Sequence, residues 1–143
     1  MGNHFESLAK DLLKNHHTLN DEGFVIDIGS NDGTLLKTFA KTAVNHLGVE
    51  PSKSVAEMAE RNGVNTYISF FNSKTASLIR QKYGPADIIL GTNVIAHIAT
   101  INDIALGVTS LLKENGVFII EAVYLGDVIL KTAFDQLYDE HVF

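Results

Sequence analysis

Five short apolar runs recur along this chain of 143 residues, and longer amphipathic stretches separate them. The runs are FVIDI (24–28), HLGVE (46–50), VNTYIS (64–69), ADIILG (86–91) and VFIIEAV (117–123). They are largely continuous, as expected for strands whose two faces are both covered by helices. TLLKTFAKTA (34–43) reads as a helix with Leu35, Leu36 and Phe39 inward, and KSVAEMAERN (53–62) as a solvated helix with an apolar inner face. NSKTASLIRQKY (72–83) and INDIALGVTSLLK (101–113) are two more helices. FESLAKDLLKNH (5–16) precedes the first strand and puts Phe5, Leu8, Leu12 and Leu13 on one face, while LGDVILKTAFDQL (125–137) follows the last. Ser52 is placed to cap the helix behind Pro51, Gly63 to end it in a left-handed turn, and Gly84-Pro85 and Glu114-Asn115-Gly116 to break the chain. This order suits only parallel βαβ units, so the expected fold is α/β, a Rossmann-like, doubly wound, mostly parallel sheet of about five strands. Ligands of such sheets lie beyond the carboxyl ends of the strands, where the strand order reverses. If the first strand is central, the turns after the first and fourth strands border that crevice.

The bulk properties narrow the partners. There is no cysteine, which excludes disulfides, zinc-thiolate sites and iron–sulfur clusters. A net charge of −6 argues against a nucleic-acid partner. No run of about 18 apolar residues exists to cross a membrane, and residues 1–14 lack the apolar centre of a signal peptide. The expectation is a single cytoplasmic domain over 1–143, with a helix and linker at 1–22, that handles a small molecule. His4, His16, His17 and His46 have no carboxylate or histidine companion at ligand spacing and read as surface residues; no metal site is expected.

The most specific stretch is VIDIGSNDGTLL (25–36). Asp27 ends the first strand, and Gly29 and Gly33 bracket the turn that follows. Glycines there permit positive φ and let backbone approach a ligand, and the next helix points free N–H groups at the crevice. The dinucleotide pattern G-x-G-x-x-G fails, because Asn31 stands two residues after Gly29. The turn better suits a ligand with an amine or carboxylate near the loop and a nucleoside beyond. Glu50, at the end of the second strand, follows Gly33 at roughly the spacing of about 20 residues at which an acid holds ribose hydroxyls.

DIGSNDGTLL, GVEPS, ADIILGTNVIAHI, LLKENGVFIIEAVYL and YDEHVF together resemble class I S-adenosylmethionine-dependent methyltransferases. More narrowly, they resemble the deoxysugar C-methyltransferases that alkylate a nucleotide-linked keto-sugar. The resemblance spans about residues 24–143 and implies roles position by position. Asp27, Gly29, Asn31 and Gly33 hold the methionine part of the cofactor, Glu50 the ribose, and Pro51, Phe70 and Phe71 the adenine. Asn93 and His97 face cofactor and sugar. Tyr138, Glu140 and His141 form the catalytic cluster, with His141 as the base. The family has an acid where Ser69 stands, a cysteine-rich zinc-binding segment ahead of this domain and a further domain behind it. It also has two more strands, the last antiparallel. The chain therefore reads as the cofactor domain of a longer enzyme that is inactive in isolation.

Carbon methylation needs an enolate, hence a base and a stabiliser of the developing oxyanion. Histidine is the natural base near neutral pH. Glu140 is placed to orient an imidazole and Tyr138 to donate to the enolate oxygen. Without the resemblance, His141 reads as a terminal surface residue, His97 as a packed residue, and Phe70-Phe71 as core. Three other readings stand beside the first: an O- or N-methyltransferase of the same fold, a nicotinamide-dependent oxidoreductase, and a nucleoside-binding module without catalysis.

Overall fold

The computed structural model describes residues 2–16, 19, 22–122 and 125–132. Five strands form one parallel sheet: β1 (Phe24–Ile28), β2 (Asn45–Val49), β3 (Thr66–Tyr67), β4 (Ala86–Thr92) and β5 (Leu112–Glu121). Their order is β3-β2-β1-β4-β5, so β1 is central and the order reverses between β1 and β4. The doubly wound fold expected from the apolar runs is the one observed. Asp27 lies beside Gly48 on one flank and Leu90 on the other.

Alternation along β1 separates two cores. Ile26 and Ile28 meet Ile79 of α3 (Ser73–Tyr83) and Ile104, Val108 and Leu111 of α4 (Ile101–Leu111). Val25 faces the opposite layer, with Ala9 and Leu12 of α1 (Gly2–Asn15), Leu36, Phe39 and Ala59 of α2 (Lys53–Arg61). Both faces of the sheet are thus covered, which is why the strands read as unbroken apolar runs. A short α5 (Leu125–Leu130) follows β5. Among the described residues, no helix is long and apolar enough to cross a membrane.

Several local expectations change. Residues 34–43 are a chain of turns ending in a 3₁₀ turn at Phe39–Lys41, and not an α-helix. Leu35, Leu36 and Phe39 are buried as expected. Side-chain oxygens, however, compete for the backbone: Asp32 Oδ1 accepts the Thr34 N–H at 3.1 Å, and the Thr42 hydroxyl donates to the Phe39 carbonyl at 2.7 Å and accepts the Val44 N–H at 3.2 Å. The helix N-terminus expected to face the crevice is therefore only a loop with isolated turns. Ser52 sits at the cap of α2, but its hydroxyl makes no capping bond. Gly63 takes the expected positive φ, 81°, and Gly84, the expected breaker, has a φ of 87°. The third strand is only Thr66–Tyr67, far shorter than 64–69.

β5 begins at Leu112, ahead of the expected 117, yet the Glu114-Asn115-Gly116 turn leaves its mark. From Leu112 to Val117 this strand advances five residues while β4 advances two, from Ala86 to Ile88. The resulting bulge brings Lys113 Nζ to the buried Asp87 carboxylate at 2.7 and 2.9 Å. The helix expected over 125–137 is seen as Leu125–Leu130, and its remainder from 133 onward lies outside the described residues.

Candidate functional site

Beyond Ile28 the backbone turns left-handed at alternate residues: Gly29 (φ 67°), Asn31 (φ 51°) and Gly33 (φ 75°). Asparagine tolerates that conformation, so Asn31 takes the shape that a glycine gives a dinucleotide loop while keeping a side chain. The turn folds back over β2. Gly29 N–H donates to the Val49 carbonyl at 2.9 Å, and Asn31 N–H to Glu50 Oε2 at 3.2 Å. Both glycines take the positive φ expected of them, and both are also packed closely by the protein. A Cβ on Gly29 would stand 2.7 Å from the Val94 side chain, and one on Gly33 would stand 2.8 Å from Val64. They also let the loop pack against its neighbours, a second reason for glycine that the local sequence does not carry.

Glu50 is buried, with 7% of its surface exposed. Its Oε1 accepts the Ser52 N–H at 2.9 Å and its Oε2 the Asn31 N–H, tying the loop to the end of β2. Each oxygen keeps a further lone pair for a hydroxyl donor. Pro51 follows, exposed.

Asp27, near the end of β1 just before this loop, is 2% exposed, and its Oδ1 has no hydrogen-bond partner among the described residues. Burial pushes its carboxyl up to about 8. Asp32, five residues on, is held below the usual carboxylate range by hydrogen bonds from Thr34. Ser30 Oγ is a second buried atom without a partner. A Cβ on Gly48, the residue paired with Asp27, would run into that hydroxyl. Gly48 thus makes room for Ser30 beside Asp27. Nothing in HLGVE marks this, because the contact depends on strand register. A buried carboxyl and hydroxyl left unpaired are costly unless something else supplies partners. A polar ligand with an amine meets that need, so these residues fit the methionine end of S-adenosylmethionine.

The far wall follows β4. Asn93 (φ 53°) donates its N–H to the Glu121 carbonyl at 2.8 Å, and its side-chain amide lies 3.4 Å from Glu121 Oε1. Val94 next to it is the side chain packed on Gly29, so this wall adjoins the first loop. His97 closes the 3₁₀ turn Ile95–His97 and is exposed. The paired aromatics separate. Phe70 is 75% exposed after β3, whereas Phe71 is buried in the core against Gly107 of α4. Only Phe70 offers an open ring face; Phe71 takes the core position that its bland reading gave it.

His4 is a surface residue, as expected, and its Nε2 lies 2.7 Å from Glu121 Oε2. The partners are 117 residues apart, and only the packing of α1 along the sheet brings them together. Tyr138, Glu140 and His141 lie outside the described residues.

The parallel sheet with its reversal point, the left-handed loop after β1 and the buried acid after β2 define a Rossmann-like α/β domain of the methyltransferase type. Residues 26–118 match the methyltransferase domain family, and the chain belongs to that family. It is 31% identical over 131 residues to the C-methyltransferase NovU of Streptomyces niveus, a match that covers 92% of this chain and 31% of that protein. It is 25% identical over 100 residues to the ubiquinone biosynthesis O-methyltransferase of Bartonella quintana, covering 69% of this chain and 40% of the relative. The chain thus spans well under half the length of either. Among solved structures, an S-adenosylmethionine-dependent methyltransferase from Anabaena variabilis superposes with a TM-score of 0.68 at 20% identity, over 94% of this chain and 58% of that one.

Proposed function

We propose that this chain is the cofactor-binding domain of an S-adenosylmethionine-dependent methyltransferase whose acceptor is a nucleotide-linked deoxy keto-sugar, methylated on carbon. The observation that carries the cofactor reading is the unpartnered Asp27 carboxyl just before a loop that is tied to Glu50. Asp27, Ser30 and the 29–33 backbone hold the methionine part, Glu50 the ribose hydroxyls, and Phe70 with Pro51 the adenine. When bound, the cofactor supplies an electrophilic methyl on its sulfonium.

With the nucleoside directed toward Glu50 at β2, the acceptor lies over the ends of β4 and β5, where Asn93 and His97 stand. His141 removes the proton next to the ketone, Glu140 orients its imidazole, and Tyr138 donates to the enolate oxygen. The likeness to a C-methyltransferase over 92% of this chain and the YDEHVF motif support the carbon acceptor. The likeness to an O-methyltransferase supports a second reading, methylation of an oxygen on another small molecule.

Calorimetric titration with S-adenosylhomocysteine and with NAD tests the cofactor. The first should bind more tightly; tighter NAD binding overturns the methyltransferase reading. In the full-length enzyme, His141→Ala should lower turnover by about 10²–10⁴ and leave cofactor affinity nearly unchanged. Parental turnover on a keto-sugar would remove His141 as the base.

A further inference from the structure

Asp27 and Ser30 are a pair of buried groups that the fold does not satisfy. Asp27 and Gly48 are paired across β1 and β2, and the space where Gly48 lacks a side chain is filled by the Ser30 hydroxyl. Both side chains therefore adjoin Gly48, one across the strand pair and one over its α-carbon. Asp27 Oδ1 and Ser30 Oγ have no hydrogen-bond partner among the described residues.

The charged groups on the elements around Asp27 are paired elsewhere or exposed. On α1, Glu6 pairs with Lys10 at 2.6 Å and His4 with Glu121, while Asp11 and Lys14 are exposed. In the loop segment, Asp32 faces Lys37 at 3.6 Å, and Lys41 is exposed. Lys53, Glu57, Glu60 and Arg61 of α2 are exposed. On the neighbouring strands, His46 Nε2 takes the Asn65 N–H, Glu50 the N–H groups of Asn31 and Ser52, and Asp87 the Lys113 ammonium.

We propose that the Asp27–Ser30 pair couples cofactor binding to proton release: the ligand's ammonium group seats on the Asp27 carboxylate as the carboxyl proton leaves to solvent. The inference rests on the cofactor reading above and adds its pH dependence. Without the ligand the neutral carboxyl is favoured, because burial penalises the charged form and no counter-ion stands beside it among the described residues. On binding, the carboxyl O–H bond breaks, its electron pair stays on Asp27, and the ammonium keeps its own three protons. A charge-assisted pair replaces a buried neutral acid, and Ser30 gains a partner for its hydroxyl. Burial as the only cause of the raised Asp27 titration agrees with this picture.

The test is calorimetry of the chain with S-adenosylhomocysteine at about pH 7, in two buffers of different ionisation enthalpy. The measured heats should differ by release of about one proton per ligand, and affinity should rise from about pH 6 to about pH 8, by up to about tenfold per unit. Asp27→Asn should abolish both effects, while Ser30→Ala should weaken binding and keep the proton release. Equal heats with pH-independent binding overturn the coupling and leave the cofactor reading standing. Failure of the folded chain to bind at any pH overturns the cofactor reading, and the coupling with it. Carbon NMR of the unliganded parent needs no variant and no ligand. An Asp27 carboxyl midpoint near 8 supports the inference, and a midpoint in the ordinary carboxylate range overturns it.

Discussion

Asp87, at the amino end of β4, and Asp27, toward the carboxyl end of β1, are both buried, 5% and 2% exposed, in neighbouring strands of one sheet. Asp87 is fully engaged: its oxygens accept Lys113 at 2.7 and 2.9 Å, and Oδ2 also accepts the Phe24 N–H at 2.9 Å. It ties β1, β4 and the β5 bulge together. Among the described residues, Asp27 has neither an ion pair nor a hydrogen-bond partner for Oδ1. The same residue type at the same depth serves two ends of the sheet differently. At the amino end the protein satisfies its own acid; at the carboxyl end it leaves one for something else. This is the division expected of a doubly wound sheet, whose ligands lie past the carboxyl ends.

The comparison breaks most visibly at the amino end. Lys113→Ala leaves Asp87 buried with one N–H donor and should cost about 3 kcal/mol in urea unfolding near neutral pH. A loss within experimental error would make Asp87 no better satisfied than Asp27.

Asp27 should act in the opposite sense. Its carboxyl is raised in the folded chain to about 8 from an ordinary 3.8. Between those values the folded state binds more protons than the unfolded state, so its contribution falls as pH rises. The stability of the parent relative to Asp27→Asn should drop by about 1 kcal/mol per pH unit, or about 2 kcal/mol from about pH 5 to about pH 7. A difference independent of pH would show that the carboxyl is already ionised.

Glu50→Ala leaves the loop without its acceptor for the Asn31 and Ser52 N–H groups. It should weaken S-adenosylhomocysteine binding by about 1.5 kcal/mol, roughly tenfold, as measured by calorimetry. A folded variant that binds like the parent would place the nucleoside elsewhere.

The smallest effect is expected at His4. Its pair with Glu121 is part exposed, so His4→Ala should cost less than about 1 kcal/mol of stability. A larger loss would mean that α1 depends on this contact more than on Ala9 and Leu12, which are buried against the sheet.

How legible was this in the sequence? Strand positions, the parallel winding and the two crevice-bordering turns follow from apolar runs and glycine spacing, because a sheet covered on both faces leaves that pattern locally. Asp27, Asn31 and Glu50 were legible as well, since their places relative to the strand ends are fixed along the chain. Local patterns failed where distant residues decide. Gly29 and Gly33 answer to Val94 and Val64, Gly48 to Ser30, and Phe71 to Gly107. His4 meets Glu121 only through tertiary packing. The segment 34–43 has a helix's apolar spacing, but side-chain oxygens of Asp32 and Thr42 take backbone bonds at its two ends.

The contrast between the two ends of the sheet is tested most directly by mapping backbone amide shifts in the folded chain as S-adenosylhomocysteine is added. The largest shifts should fall on Asp27 to Gly33, on Glu50 and Ser52, and on Asn93 and Val94, while Phe24, Asp87 and Lys113 stay unchanged. Shifts centred on Phe24, Asp87 and Lys113 would contradict the account, as would saturating ligand that leaves residues 27–33 undisturbed.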